Sequence, residues 1–335
     1  MSSKEDEMKI AINGFGRIGK QFFLACMEKK VNFDIVINHS ADLDFIVYTL
    51  KYDSVHPVPN VEIKHDGKNI IFGGKKFRVY NILEPEKLPW KSEKIDLVVE
   101  CTGMFTARED AMKHIKAGAK RVLISAPAKG NDVTIIPGVN DRMLKNEHKI
   151  ISAGSCTTNC VAPILKILHE AYKIKSAYFI TTHAYTSTQK LIDGVDKKDL
   201  RRGRAAATDI VPSTSGAAQS VTEALPELVG KLDGYALRVP VPNGSLLNLI
   251  ANLKQKATKE EINQAFLEFS RKNPFLEYCE EPIVSSDVIH NQNSCIFDSL
   301  LTSSQGNLIS ITAWYDNEYA YSSRIIDLLE LIKTI

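Results

Sequence analysis

Asn13-Gly14-Phe15-Gly16-Arg17-Ile18-Gly19 sets three glycines in the order G-x-G-x-x-G, behind an apolar run at 9–13 and ahead of a helix-patterned segment at 21–30. Gly14 suits the tight turn, Gly16 the close approach of a pyrophosphate, and Gly19 the close packing of helix on strand. The helix N-terminus then offers unpaired N–H groups and the positive end of its dipole to that pyrophosphate. Strand-like runs at 33–38, 95–101, 121–125 and 133–136 alternate with a helical segment at 107–117 that ends at Gly118. The run at 95–101 is nearly continuous in apolar residues, as a strand buried on both faces requires. The alternation predicts an α/β, doubly wound, Rossmann-type domain with a largely parallel sheet. Residues 61–80 read as small antiparallel hairpins inserted between its halves.

The texture changes after Cys156. Long runs at 176–185, 235–242, 245–254 and 308–314 are separated by turns and by one helix at 258–272, which opens on Thr258 and Glu261 at capping-box spacing. This half reads as an α+β domain built on an antiparallel sheet. Apolar residues at helical spacing predict a final helix at 323–335. The expected division is a dinucleotide-binding domain over 9–155, completed by a C-terminal helix at 318–335, and a catalytic domain over 156–317.

Net charge is +2 over 335 residues, with 44% hydrophobic and 24% charged, so nothing draws the chain strongly to nucleic acid or to a membrane surface. No apolar run approaches the roughly 20 residues needed to span a bilayer. The start, residues 1–9, is polar, lacks the apolar centre of a signal peptide, and reads as a frayed tail. Cys26, Cys101, Cys156, Cys160, Cys279 and Cys295 show no framework spacing, which suits a reducing compartment. The expected location is the cytoplasm, with a mature plastid-type form left open. Cys156 and Cys160 are four apart and His169 nine further on, which is not the spacing of a zinc site, so no metal is expected. Arg201-Arg202-Gly203-Arg204 lacks the lysine cluster and aromatic platform of a nucleic-acid patch.

Ser155-Cys156-Thr157-Thr158-Asn159-Cys160 lies between a strand-like run at 149–153 and a helical segment at 161–169. Cys156 therefore falls near a helix N-terminus, where unpaired N–H groups and the helix dipole favour a thiolate. A thiolate attacks carbonyl carbon, so covalent catalysis is one reading; a buried cysteine at a helix start is the other. His183, at a strand end, is a candidate base. Most of His56, His65, His114, His148, His169 and His290 lie in charged or loop contexts and are expected at the surface. An NAD site places a carboxylate about 20 residues beyond the glycines, on the ribose 2′-OH. Here that point carries His39-Ser40-Ala41, and Asp42 and Asp44 come late. Without the acid nothing repels a 2′-phosphate, so NADP is expected to be accepted and even preferred, unless Asp42 bends back to the ribose.

The glycine loop, the cysteine hexapeptide, His183-Ala184-Tyr185-Thr186, Arg238-Val239-Pro240 and Trp314-Tyr315-Asp316-Asn317-Glu318 together resemble phosphorylating glyceraldehyde-3-phosphate dehydrogenases, in order, from about residue 9 to the C-terminus. The resemblance implies Cys156 as nucleophile and His183 as base in a reversible oxidative phosphorylation of glyceraldehyde 3-phosphate, with NAD or NADP. Erythrose-4-phosphate dehydrogenase is the alternative. The resemblance implies dinucleotide contacts from Arg17, Ile18, Thr102, Ser125 and Asn317, beside Gly14, Gly16 and Gly19 of the glycine loop and His39 and Ser40 at the ribose position read from the spacing. Thr186 and Arg238 match the pocket for the substrate's phosphate. Ser155, Thr157, Ser215, Gly216 and Arg202 match the pocket for inorganic phosphate. A homotetramer is implied, in which the arginine loop lies against the cofactor across a subunit boundary. Cys160 is expected to pack, with oxidative pairing to Cys156 as a second role. Val195, Leu83, Ser215 and Ala320 depart from the family pattern, and Ala320, replacing a glycine, is expected to shift the local backbone.

Overall fold

The computed structural model of the chain describes residues 8–197 and 199–335. They form two compact units. One runs to Ile135 and adds Arg142–Gly154 and Ser322–Ile335; the other takes Ile136–Asp141 and Ser155–Tyr321. The expectation of a frayed start falls mostly outside the described residues, but Met8 and Lys9 already belong to the first strand.

In the first unit the order is β1 (Met8–Asn13), α1 (Arg17–Glu28), β2 (Phe33–Asn38), α2 (Leu43–Lys51), β3 (Ile63–His65), β4 (Asn69–Phe72), β5 (Lys75–Tyr80), α3 (Trp90–Glu93), β6 (Leu97–Glu100), α4 (Arg108–Lys116), β7 (Arg121–Ile124), β8 (Val133–Thr134) and β9 (Ile150–Ser152). Among the described residues these strands make a nine-stranded sheet in the order β3-β4-β5-β2-β1-β6-β7-β9-β8. All pairings from β5 to β8 are parallel. The hairpins at 61–80 lie in the chain between the halves, as expected, and in the sheet they extend its edge, where β5 runs parallel to β2 and β4 antiparallel to β5. β1 stands between β2 and β6, so the strand order reverses at its carboxyl end, where crevices of this fold take their ligands. Ile10, Ile12, Leu97, Val98 and Val99 are buried, as strands covered on both faces must be.

The second unit contains α5 (Cys156–Tyr172), β10 (Ile174–Ala184), β11 (Val211–Thr214), α6 (Ala217–Ala224), β12 (Leu232–Val239), β13 (Ser245–Leu253), α7 (Lys259–Ser270), β14 (Leu276–Cys279), β15 (Cys295–Gln305) and β16 (Leu308–Tyr315). The seven strands are ordered β11-β12-β10-β13-β16-β15-β14. The centre is antiparallel, as expected, while β10–β12 and β14–β15 are parallel pairs, which makes the flanks mixed. Alternate residues Ala177, Phe179, Leu247, Leu249, Phe297 and Ile311 point into one core with Val161, Ile164, Leu168 and Phe266 from the helices. Phe266 stacks on Phe297 at 4.0 Å between ring centroids. Both cysteine-bearing and Thr258-bearing helices start on full capping boxes: Ser155 with Thr158 for α5, Thr258 with Glu261 for α7. The chain ends in α8 (Tyr319–Lys333), one residue inside the expected bound at 318 and four before the apolar-periodic stretch that starts at 323. Ala320 lies inside α8 and is not among the residues with positive φ, so replacing a glycine here leaves an ordinary helical backbone.

Candidate active site

In the first unit each glycine of the loop has a separate steric reason. Gly14 has φ +95°, and a Cβ on it would stand 2.7 Å from the Thr102 N. A Cβ on Gly19 would stand 2.0 Å from the Gly14 carbonyl oxygen, so only glycine lets α1 approach the loop. Gly16 precedes the first turn of α1 and faces open space, with no atom within 4 Å of its Cβ position. Two glycines close the packing and the middle one leaves room beside free helix N–H groups, which fits a pyrophosphate.

The side chains nearby are mostly turned to the protein. Arg17 Nη1 donates to Asp53 Oδ2 at 2.7 Å, and Lys20 Nζ donates to the same oxygen at 2.5 Å. Those partners and two backbone N–H groups hold the Asp53 carboxyl well below its usual range. Arg17 and half-buried Ile18 thus present backbone, rather than a guanidinium, to a ligand at the helix start. The Thr102 N–H donates to Glu100 Oε1 at 2.7 Å, its hydroxyl donates to the same oxygen, and Ser125 Oγ donates to the Glu100 carbonyl at 2.8 Å. Glu100 also takes Asn13 Nδ2 at 2.6 Å and His114 Nε2 at 3.1 Å. Trp90 Nε1 donates to His114 Nδ1 at 3.0 Å, so His114 carries its proton on Nε2 and donates it to the carboxylate. His114 and His56 are therefore buried, against the expectation of surface histidines, and the other four are half-buried.

His39, at the end of β2, accepts the Phe15 N–H on Nδ1 at 3.2 Å, which leaves Nε2–H as a donor. Burial lowers its pKa, so it sits there neutral. Ser40 is exposed, and its carbonyl accepts from Asn81 Nδ2 at 3.2 Å. Asp42 caps α2 through the Phe45 N–H at 2.7 Å, and Asp44 meets His65 Nε2 at 3.0 Å.

In the second unit Cys156 opens α5. Its Sγ lies 3.4 Å from His183 Nε2. His183 Nδ1 lies 2.7 Å from the Ala184 carbonyl oxygen, and in the tautomer that donates there the Nε2 lone pair faces the sulfur. Arg238 Nη1 stands 2.5 Å from Nδ1 and donates to the same carbonyl at 3.1 Å. The register of β10 on β12 pairs His183 with Arg238 directly. Burial, and then the adjacent Arg238 charge, push the His183 pKa down to about 3. Burial also raises the Cys156 thiol, opposed by Arg238 and by hydrogen bonds from Thr157. The backbone N–H groups of Cys156 and Thr157 at the start of α5 lower it, but burial is the larger influence, and the resting pair is neutral thiol and neutral imidazole.

The guanidinium nitrogens Nε of Arg202 and Arg238 are buried without a hydrogen-bond partner, and burial, with the Arg202 charge nearby, disfavours the charge of Arg238. Such a pair wants an anion. Other anion candidates are partly committed. Ser155 Oγ accepts the Thr158 N–H at 3.0 Å in the α5 cap. Thr157 Oγ1 meets the Tyr315 OH at 3.0 Å, which meets Thr181 Oγ1 at 2.7 Å. Thr186 Oγ1 faces Thr188 Oγ1 at 3.0 Å, and the Thr186 N–H donates to Gln189 Oε1 at 3.2 Å. Gly216 is the N-cap of α6, and Ser215 Oγ accepts the Ala217 N–H at 3.3 Å. The sheet register places Val211 opposite Arg238 and Thr214 opposite Tyr235, so Ser215 leaves the sheet at the end away from Arg238. Asn317 is buried, and its Oδ1 accepts from Ser245 Oγ at 2.8 Å.

Tyr315, Thr181, Ser245 and Gln189 were not singled out from sequence. Thr181 had a signal: it shares a strand face with His183 two residues on. Tyr315 lay within the quoted Trp314–Glu318 stretch. Ser245 had none, because it reaches the site only through tertiary hydrogen bonds, while Gln189 meets Thr186 within a turn of three residues.

The family model described as glyceraldehyde 3-phosphate dehydrogenase, NAD binding domain, matches residues 8–108, and that described as the C-terminal domain of the same enzyme matches residues 155–317. Glyceraldehyde-3-phosphate dehydrogenase 1 of Bacillus subtilis is 44% identical over 329 residues, covering 97% of this chain and 98% of that one. The enzyme of Priestia megaterium is 45% identical over 330 residues, again covering 97% and 98%. Glyceraldehyde-3-phosphate dehydrogenase 2 of Trichormus variabilis is 45% identical over 332 residues with the same coverage.

Proposed function

Since the chain belongs to the glyceraldehyde 3-phosphate dehydrogenase family, we propose that it is the phosphorylating oxidoreductase, converting glyceraldehyde 3-phosphate and inorganic phosphate reversibly to 1,3-bisphosphoglycerate. The observation that carries the reading is the Cys156 Sγ–His183 Nε2 contact of 3.4 Å at the start of α5, beside two guanidiniums with unpartnered nitrogens. His183 Nε2 takes the thiol proton as Cys156 Sγ adds to the aldehyde carbon and passes it to the carbonyl oxygen, forming a thiohemiacetal and leaving the imidazole neutral. The nicotinamide, when bound, supplies the hydride acceptor. His183 removes the hydroxyl proton of the thiohemiacetal in that oxidation, which leaves a thioester on Cys156. Phosphate oxygen then attacks the acyl carbon, and the sulfur leaves and regains its proton from His183. Arg238, with Thr186, holds the substrate's own phosphate. Arg202, the α6 start at Ser215–Gly216, and the backbone around Ser155 and Thr157 receive the attacking phosphate. Asn317 orients the nicotinamide carboxamide.

Gly14, Gly16 and Gly19 support a dinucleotide in the first unit, and NADP is accepted as well as NAD. Neither acid that follows β2 reaches back, since Asp42 is used as a cap, and His39 offers an N–H where a carboxylate would repel phosphate. The decisive assay follows the absorbance of reduced nicotinamide with glyceraldehyde 3-phosphate, first with NAD and then NADP, with and without phosphate. Turnover that needs phosphate and runs with both cofactors is expected. A strong NAD preference sinks the cofactor reading, and faster turnover on erythrose 4-phosphate without phosphate sinks the substrate reading.

A further inference from the structure

Ala184 follows the base directly, and both of its backbone groups are used. Its carbonyl takes His183 Nδ1 and Arg238; its N–H donates to Ser245 Oγ at 3.1 Å. Ser245 is fully buried at the start of β13. A serine hydroxyl has one proton. Because the oxygen already accepts from Ala184, that proton goes to Asn317 Oδ1 at 2.8 Å. That bond fixes which end of the Asn317 amide faces the serine, so Nδ2 with its two protons is turned to the other side. The backbone beneath is fixed as well. Asp316 Oδ1 accepts from Asn243 Nδ2 at 2.9 Å, the Glu318 N–H at 2.8 Å and the Tyr319 N–H at 2.9 Å, while Oδ2 accepts the His290 N–H at 2.6 Å.

We propose that Ser245 is a positioning residue that sets the Asn317 amide as a donor, so that the site reads the oxygen rather than the nitrogen of the nicotinamide carboxamide. Ser245 also ties that choice to the strand end that carries the base. The inference rests on Asn317 being the carboxamide residue, and the test separates the two.

Calorimetric titration of the intact protein with NAD gives the dissociation constant without turnover. Ser245→Ala is expected to weaken binding about tenfold, the effect of losing roughly one hydrogen bond to a buried group. The pH dependence of Cys156 alkylation is expected to stay as in the unchanged protein. Asn317→Asp offers only acceptors, and is expected to bind NAD more weakly than Asn317→Ala. Adding Ser245→Ala to Asn317→Ala is expected to change binding less than about twofold, since the serine acts through the asparagine. Asn317→Asp binding like the unchanged protein, or additive losses in the double variant, overturns the role of Ser245 while the Asn317 reading stands. Unchanged binding in Asn317→Ala removes that reading, and the inference with it.

Discussion

Cys156 and His183 face each other as a neutral pair, and the Arg238 charge acts on both in the same direction, favouring the deprotonated form of each. Removing that charge raises both pKa values. Arg238→Leu is therefore expected to move the alkaline rise of iodoacetamide alkylation at Cys156 further above the ordinary cysteine value of 9.0. A shift downward refutes the assigned electrostatics. Stability follows the same groups. His183 titrates near 3 when folded against 6.5 when unfolded. Below pH 6.5 the unfolded chain takes up a proton that the folded one refuses, so stability falls as the pH drops and levels off once it passes 3. His183→Gln is expected to flatten that part of a melting-temperature profile between pH 7 and 4, and a profile as steep as before removes the buried neutral imidazole from the account. Cys156→Ser is expected to abolish aldehyde oxidation while NAD still binds; a clean preparation that retains turnover refutes the nucleophile.

At the scale of elements, the first turn of α1 is shaped for a ligand by subtraction of side chains. Gly19→Ala puts a methyl 2.0 Å from the Gly14 carbonyl oxygen, so α1 must move away from the loop. The expected outcome is loss of dinucleotide binding by calorimetry, with Cys156 alkylation intact. Undiminished binding contradicts the close packing of helix on loop. α7 supplies a control far from the chemistry. Thr258 Oγ1 accepts the Glu261 N–H at 3.2 Å, and Glu261 Oε2 accepts the Thr258 N–H at 2.8 Å. Thr258→Ala removes half of that box and is expected to cost about 1 kcal/mol in denaturant unfolding, with kcat unchanged. The same box spacing was legible at Thr258 and Glu261 from sequence, because a cap depends on residues three apart. The start of α5 at Cys156 was legible only roughly, since Ser155 and Thr158 form a box with a threonine where glutamate or glutamine usually stands.

At the scale of the whole molecule, Leu191, Ile192, Val195 and Leu200 are each more than three-quarters exposed within one short stretch of the second unit. Clustered apolar side chains of that size on one surface mark a place for another chain. With the tetramer implied by the family resemblance, sedimentation is expected to show a tetramer, and Leu200→Asp with Ile192→Asp to shift it to smaller species. A protein that sediments as a monomer before any substitution contradicts the assembly. Among the described residues no helix is long and apolar enough to cross a membrane.

The local pattern of the chain determined the strand–glycine loop–helix unit, the period-2 runs of the second sheet, and the cysteine at a helix start, because each depends on neighbours a few residues apart. Tertiary structure decided the rest. It brought Arg238 to His183 across 55 residues and Asn317 to Ser245 across 72. It turned Arg17 toward Asp53, buried His114 against Glu100, and made burial outweigh Arg238 and the local hydrogen bonds at Cys156. A protonation state or a hydrogen-bond partner is set by everything within a few ångströms, and that shell is assembled from segments the linear order keeps far apart.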